Sequence, residues 1–121
     1  MSIDDLNVAV TGAIFRAEGF ERDGNSAAAA RAYVEVAQIE ERLASALPPG
    51  EIDGNAAREG AVRAWLKARD PRRAIELAAG YLREALPRNT RGEIEKLELM
   101  AKTQLNPLVV PAARFRFARA A

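Results

Sequence analysis

Apolar side chains recur along the first hundred residues at intervals of three and four, the spacing that gathers them on one face of a helix. Ile3, Leu6, Val10, Ile14, Ala17 and Phe20 make the first such stripe. Ser2 stands before it as a cap, Asp4 and Asp5 lie where a helix dipole favours negative charge, and Asp23-Gly24-Asn25 ends it in a turn. Ser26 is suited to cap a second helix, whose stripe runs through Tyr33, Val36, Ala37 or Ile39, Leu43 and Leu47 until Pro48-Pro49-Gly50 stops it. A third helix, opening at Asp53 or Asn55, carries Ala61, Val62, Ala64, Trp65, Leu66 and Ala68. Asp70-Pro71, a capping carboxylate before a proline at the first helical position, is the sharpest boundary in the chain. The fourth helix carries Ala74, Leu77, Ala78, Tyr81, Leu82 and Ala85 and is expected to halt before Pro87. Thr90-Arg91-Gly92-Glu93 has the form of a capping box opening a fifth helix with Ile94, Leu97 and Ala101, which ends near Asn106-Pro107.

The texture changes after Asn106. Leu108-Val109-Val110-Pro111 is apolar and broken by proline, and Arg114-Phe115-Arg116-Phe117 alternates with period two. No acidic residue follows Glu98, so this end is locally basic. The expected architecture is therefore all-α: about five helices in antiparallel hairpins, forming a single helical domain over residues 1–106, followed by an extended, basic, phenylalanine-containing tail over 107–121. Alternation sets Phe115 and Phe117 on one side, where they are candidate partner-binding residues. Rings of this size in a free tail invite association, so the tail is expected to dock on the helices or on a partner.

Composition sharpens this picture. At 121 residues the chain has the size of one domain, and its apolar share is dominated by alanine, which favours closely packed helices. It contains no cysteine and no histidine. That rules out disulfides, thiolate nucleophiles, histidine general bases and Cys/His zinc sites within the chain. Glu40-Glu41 and Glu93, Glu95 and Glu98 offer paired carboxylates for acid–base work or a divalent ion. In alanine-rich helices, however, glutamates ordinarily serve as partners of nearby Arg and Lys. No catalytic residue, metal or other cofactor is expected. The net charge of +1 gives no global pull toward nucleic acid or anionic lipid. No apolar run approaches the ~18 residues of a membrane span. The opening Ser2-Ile3-Asp4-Asp5 is acidic where a signal peptide would be basic, so a cytoplasmic location is expected.

Two hairpins share a pattern. In the first, Phe20 precedes Gly24-Asn25, and Ala29 and Tyr33 follow; in the second, Trp65 precedes Asp70, and Ala74 and Ala78 hold the corresponding places. An aromatic, a tight polar turn and a small residue suit a hairpin whose next helix must come close, so Ala29 and Ala74 are expected at helix–helix contacts. Phe20, Gly24, Ala29 and Tyr33, then Trp65, Asp70, Ala74 and Pro87, resemble the tetratricopeptide repeat over roughly residues 5–87. The 45 positions between Ala29 and Ala74 exceed that family's 34-residue period, the excess lying in the Pro48–Gly54 connection and a long second helix. The same pattern also suits an ordinary small helical bundle.

The resemblance implies a non-enzymatic module that binds another protein or its own copy, with the first helix of each hairpin lining a groove. By position that gives Ile14, Glu18 and Arg22 in the first hairpin and Glu59, Arg63, Leu66 and Lys67 in the second. Arg63 and Lys67, four apart on one helical face, suit an acidic side chain or a carboxyl terminus. One alternative is a small accessory or regulatory subunit of a larger complex. Another is a nucleic-acid-associated factor using Arg58, Arg63, Lys67, Arg69, Arg72 and Arg73, against which weigh the interrupting Glu59 and Asp70 and the near-neutral total charge.

Overall fold

The computed structural model describes residues 1–108, which form five helices: α1 (Ile3–Arg22), α2 (Ser26–Ala46), α3 (Ile52–Lys67), α4 (Pro71–Tyr81) and α5 (Arg88–Leu105). No strand occurs among the described residues, and the fold is all-α. Phe115, Phe117 and the rest of the tail beyond Leu108 lie outside the described residues.

Helix starts follow the supply of acceptors for free backbone N–H groups. At α1 the Ser2 hydroxyl accepts from the Asp5 amide and the Asp5 carboxylate from the Ser2 amide, both at 3.1 Å. The cap of α2 is Asn25 rather than Ser26; its Oδ1 accepts from the Ala28 amide at 3.1 Å, and Ser26 is already helical. Asp70 caps α4 through the Arg73 amide, with Pro71 in the first turn. Asn55 does not cap α3, which opens at Ile52 without a side-chain cap. Its Oδ1 instead accepts from the Gly50 amide at 3.0 Å and ties down the connecting loop.

The ends of α4 and α5 depart from the expected boundaries. α4 closes at Tyr81, and Ala85 is exposed beyond it. α5 starts at Arg88, so Thr90 is a buried residue of its first turn and not a cap. The cause is Arg91, which donates to the carbonyls of Leu82 and Glu84 at 2.9 Å each. Those bonds satisfy the chain leaving α4 and draw the first turn of α5 onto it, starting the helix two residues before the apparent capping box.

Both hairpins turn on the same backbone hydrogen bonds. Gly24 N–H bonds to Glu21 O at 3.1 Å and Asn25 N–H to Phe20 O at 2.9 Å. Arg69 N–H bonds to Leu66 O and Asp70 N–H to Trp65 O, each at 3.0 Å. Each is a Schellman closure whose last residue caps the next helix. Spacing alone sets Gly24 against Asp70; the backbone sets it against Arg69, so that Phe20 matches Trp65 and Ala29 matches Ala74 in one register. Gly24 has φ 74° and Arg69 φ 61°, a left-handed conformation that glycine adopts freely and arginine does not. Arg69→Gly should therefore raise stability by about 0.5–1 kcal/mol after the entropy of the added glycine is deducted, read as a higher urea midpoint with an unchanged slope.

Packing runs in chain order. α1 lies on α2, α2 on α3, α3 on both α4 and α5, and α4 on α5. Alanine makes the close approaches: Ala17, Ala37, Ala61, Ala74, Ala78 and Ala101 are fully enclosed, and Ala29 is buried. Trp65 is buried, but Phe20, its counterpart, is 39% exposed and does not fill the space between α1 and α2. Ile3 is likewise exposed at the end of its stripe.

A candidate groove over the second helix

α1 and α3 flank α2 without packing on each other, which leaves a groove above α2. Tyr33, Val36 and Glu40 form its floor, Ile14 and Glu18 one wall, and Gly60, Arg63, Ala64 and Lys67 the other, around a cavity of about 130 Å³. Four of the groove residues expected from sequence, Ile14, Glu18, Arg63 and Lys67, therefore meet in one place.

The other three do not. Leu66 is buried in the core: one residue before Lys67, it is turned about 100° around the helix from it and faces the neighbouring helices. Arg22 lies over the Phe15 ring of its own helix, 5.8 Å from the centroid. Glu59 is half-buried and lines a separate cleft beside the start of α5, with Asn55, Ile52 and Thr90, which Arg63 also borders.

Arg63 and Lys67 are exposed, and each has a weak local partner. Arg63 Nη2 is 3.4 Å from Glu93 Oε1, an exposed pair of little energetic weight. Lys67 Nζ lies 5.1 Å from the centre of the Tyr33 ring, within cation–π range. The Tyr33 hydroxyl donates to Glu21, and burial, reinforced by that carboxylate, pushes the phenol well above its ordinary pKa.

Glu40 sets the electrostatics of the floor. Gly60 faces it, and a Cβ there would stand only 1.9 Å from Glu40 Oε2, so the end of the Glu40 side chain occupies the space that the glycine leaves open. Burial pushes the Glu40 carboxyl up to about 7, against the opposing pull of Arg63. The sequence marks Glu40-Glu41 as paired carboxylates but not that Glu40 alone is drawn inward, since glutamates in an alanine-rich helix suit a solvated face.

Of the basic cluster, Arg63, Lys67, Arg69 and Arg72 are exposed, whereas Arg58 is withdrawn into the interior and Arg73 is tied to a carboxylate. Arg58 is 4% exposed and pairs with both oxygens of Glu84, at 2.7 and 3.1 Å. Its Nη1 donates to the carbonyls of Leu47 and Gly54, and its guanidinium lies 5.5 Å from the Tyr81 ring centre. Four of its five N–H groups are engaged and the side chain is enclosed, so it is not offered to a phosphate at the surface. Arg73 bonds Glu41 at 2.7 Å and stacks near Trp65, whose indole N–H also donates to Glu41 at 2.6 Å. Glu41 thereby joins α2 to α3 and α4 beside an open cleft of about 750 Å³, lined by Leu6, Arg42 and Ser45 among others.

The other glutamates mostly follow the expectation from composition. Glu98 pairs with Lys102 at 3.7 Å, and no group of three residues suited to hold a metal ion occurs among the described residues. No helix among them is long and apolar enough to cross a membrane. Compared with protein-family models, curated proteins and solved structures, the chain matches none.

Proposed function

We propose that this chain is a non-enzymatic protein-interaction module whose groove between α1 and α3 takes an apolar side chain from a partner segment with acidic groups beside it. The observation that carries this is the joint lining: Ile14, Val36 and Ala64 supply an apolar pocket, and Arg63 and Lys67 stand exposed at its edge. Burying one leucine-sized side chain there is worth roughly 1.5–3 kcal/mol. Arg63 leaves Glu93 at little cost, because an exposed pair contributes roughly 0–1 kcal/mol, and its guanidinium then fits a carboxylate with two parallel hydrogen bonds. The shared geometry of the two hairpin turns supports the hairpin-array arrangement that the tetratricopeptide resemblance implies.

Selection of phage-displayed peptides on the immobilised protein tests this. Enriched peptides should carry one aliphatic or aromatic residue flanked by Asp or Glu. Arg63→Glu combined with Lys67→Glu should weaken the selected peptides by more than about tenfold while the helical circular-dichroism signal stays unchanged. Peptides that bind the double variant as well as the parent would remove the groove from the function.

A further inference from the structure

The side of α1 turned away from α2 carries large apolar groups that no other helix covers, with only the Arg22 guanidinium of α1 itself over the Phe15 ring. Leu6, Val10, Ala13 and Ala17 are the buried positions of this helix. On the opposite side lie Asp4, Val8, Thr11, Phe15 and Arg22, and Val8 and Phe15 are 75% and 70% exposed. Their spacing of four, three, four and seven keeps them in one stripe along the 20-residue helix. Gly12 and Gly19 border that stripe, and no side chain of another helix approaches either of them. The charges are sorted along it, with Asp4 at the start and Arg22 at the end. Neither has an ion-pair partner among the described residues.

We propose that this face seats a second copy of the chain, α1 against α1, antiparallel about a twofold axis beside residue 13. A twofold contact must be complementary to itself. The antiparallel sense satisfies this: Asp4 of each copy lies opposite Arg22 of the other, and the two helix dipoles oppose. A parallel pair would set Asp4 against Asp4 and Arg22 against Arg22. With the axis beside residue 13, each Phe15 lies over Thr11 and Gly12 of the second copy, where the ring takes the place of the flexible end of Arg16, the one side chain within 4 Å of that glycine position. Each Val8 lies beside Gly19. One helix pair of this length covers an area toward the small end of specific interfaces, below about 1,200 Å², so the dimer is a micromolar one. The face is distinct from the groove and does not depend on what the groove binds.

Sedimentation equilibrium of the full chain across the micromolar range tests the pairing. The mass should rise with concentration from 13.1 kDa toward twice that value. Phe15→Asp, at a position too exposed to support the fold, should hold the chain at the monomer mass with its circular dichroism unchanged. Asp4→Arg should weaken association by about tenfold, and Asp4→Arg combined with Arg22→Asp should restore it to within about threefold of the parent. Arg63→Glu with Lys67→Glu should leave the dimer intact, which separates this interface from the groove. A parent chain that stays monomeric throughout would overturn the proposal. So would a Phe15→Asp chain that dimerises like the parent, or a double reversal weaker than the single one.

Discussion

Replacing Arg58 with methionine should lower the free energy of unfolding by about 3 kcal/mol, the low end of what breaking a buried ion pair costs. Methionine keeps an apolar stem but removes every hydrogen bond of the guanidinium and its place beside the Tyr81 ring. Glu84 loses both its short contacts, and the carbonyls of Leu47 and Gly54 lose a donor. The low end applies because the Glu84 side chain remains 32% exposed and recovers some hydration once its partner has gone. Arg58→Lys should fare little better, since one ammonium cannot span both carboxylate oxygens and two carbonyls. Adding Glu84→Met to Arg58→Met should return part of the loss by removing the stranded charge. Urea unfolding of the three variants measures all of this. A loss below about 1 kcal/mol for Arg58→Met would mean that water replaces the guanidinium without penalty.

Stability should also fall as pH rises through neutrality, and Glu40 is the cause. Its carboxyl titrates near 7 in the folded protein against an ordinary value of 4.5. The folded state therefore holds a proton that the unfolded chain has already released. This favours folding fully below pH 4.5 and is lost as pH climbs through 7, opposite to the behaviour of a salt-bridged carboxylate. The carboxyl is partly open to solvent, so the expected loss is about 1–2 kcal/mol rather than the larger figure the full shift would give. Glu40→Gln should abolish the decline, matching the parent at pH 5 and exceeding it at pH 8 by that amount. A glutamine variant less stable than the parent at pH 8 would mean that Arg63 stabilises the carboxylate more than burial penalises it. With no histidine in the chain, Glu40 stands out among the described groups as one that titrates near neutral pH.

Helix existence was legible because apolar spacing and turn chemistry agree at most positions. Asp70-Pro71 and Gly24-Asn25 lie where the backbone needs a cap and a left-handed residue, and each local signal acts within a few residues of itself. Thr90 through Glu93 shows how a good local signal loses. Two hydrogen bonds from Arg91 to the end of α4 outweigh the capping box, and they depend on a tertiary approach that spacing does not encode. The same limit separates Arg63 and Lys67 from Arg58 and Leu66. All four lie on one helix, and which of them faces water follows from where α2, α4 and α5 pack around it. Glu84, the partner of Arg58, is 26 residues away with nothing in its neighbourhood to mark it as an interior anion. Glu40 was hidden for a related reason: the space its carboxylate occupies lies beside Gly60, on another helix.

The packing order grades the molecule's resistance to partial opening. α3 has three neighbours, whereas α1 is held by α2 alone. Detaching α1 breaks a single seam and leaves the packing among α2, α3, α4 and α5 in place, so α1 can open as one cooperative unit. Amide hydrogens of α1 thus exchange through an opening that those of α3 do not share. Anything that grips the outer side of α1 slows that exchange without touching the rest of the protein. The helix at the end of the row is held through one seam only, and binding to its outer side is converted into stability through that seam.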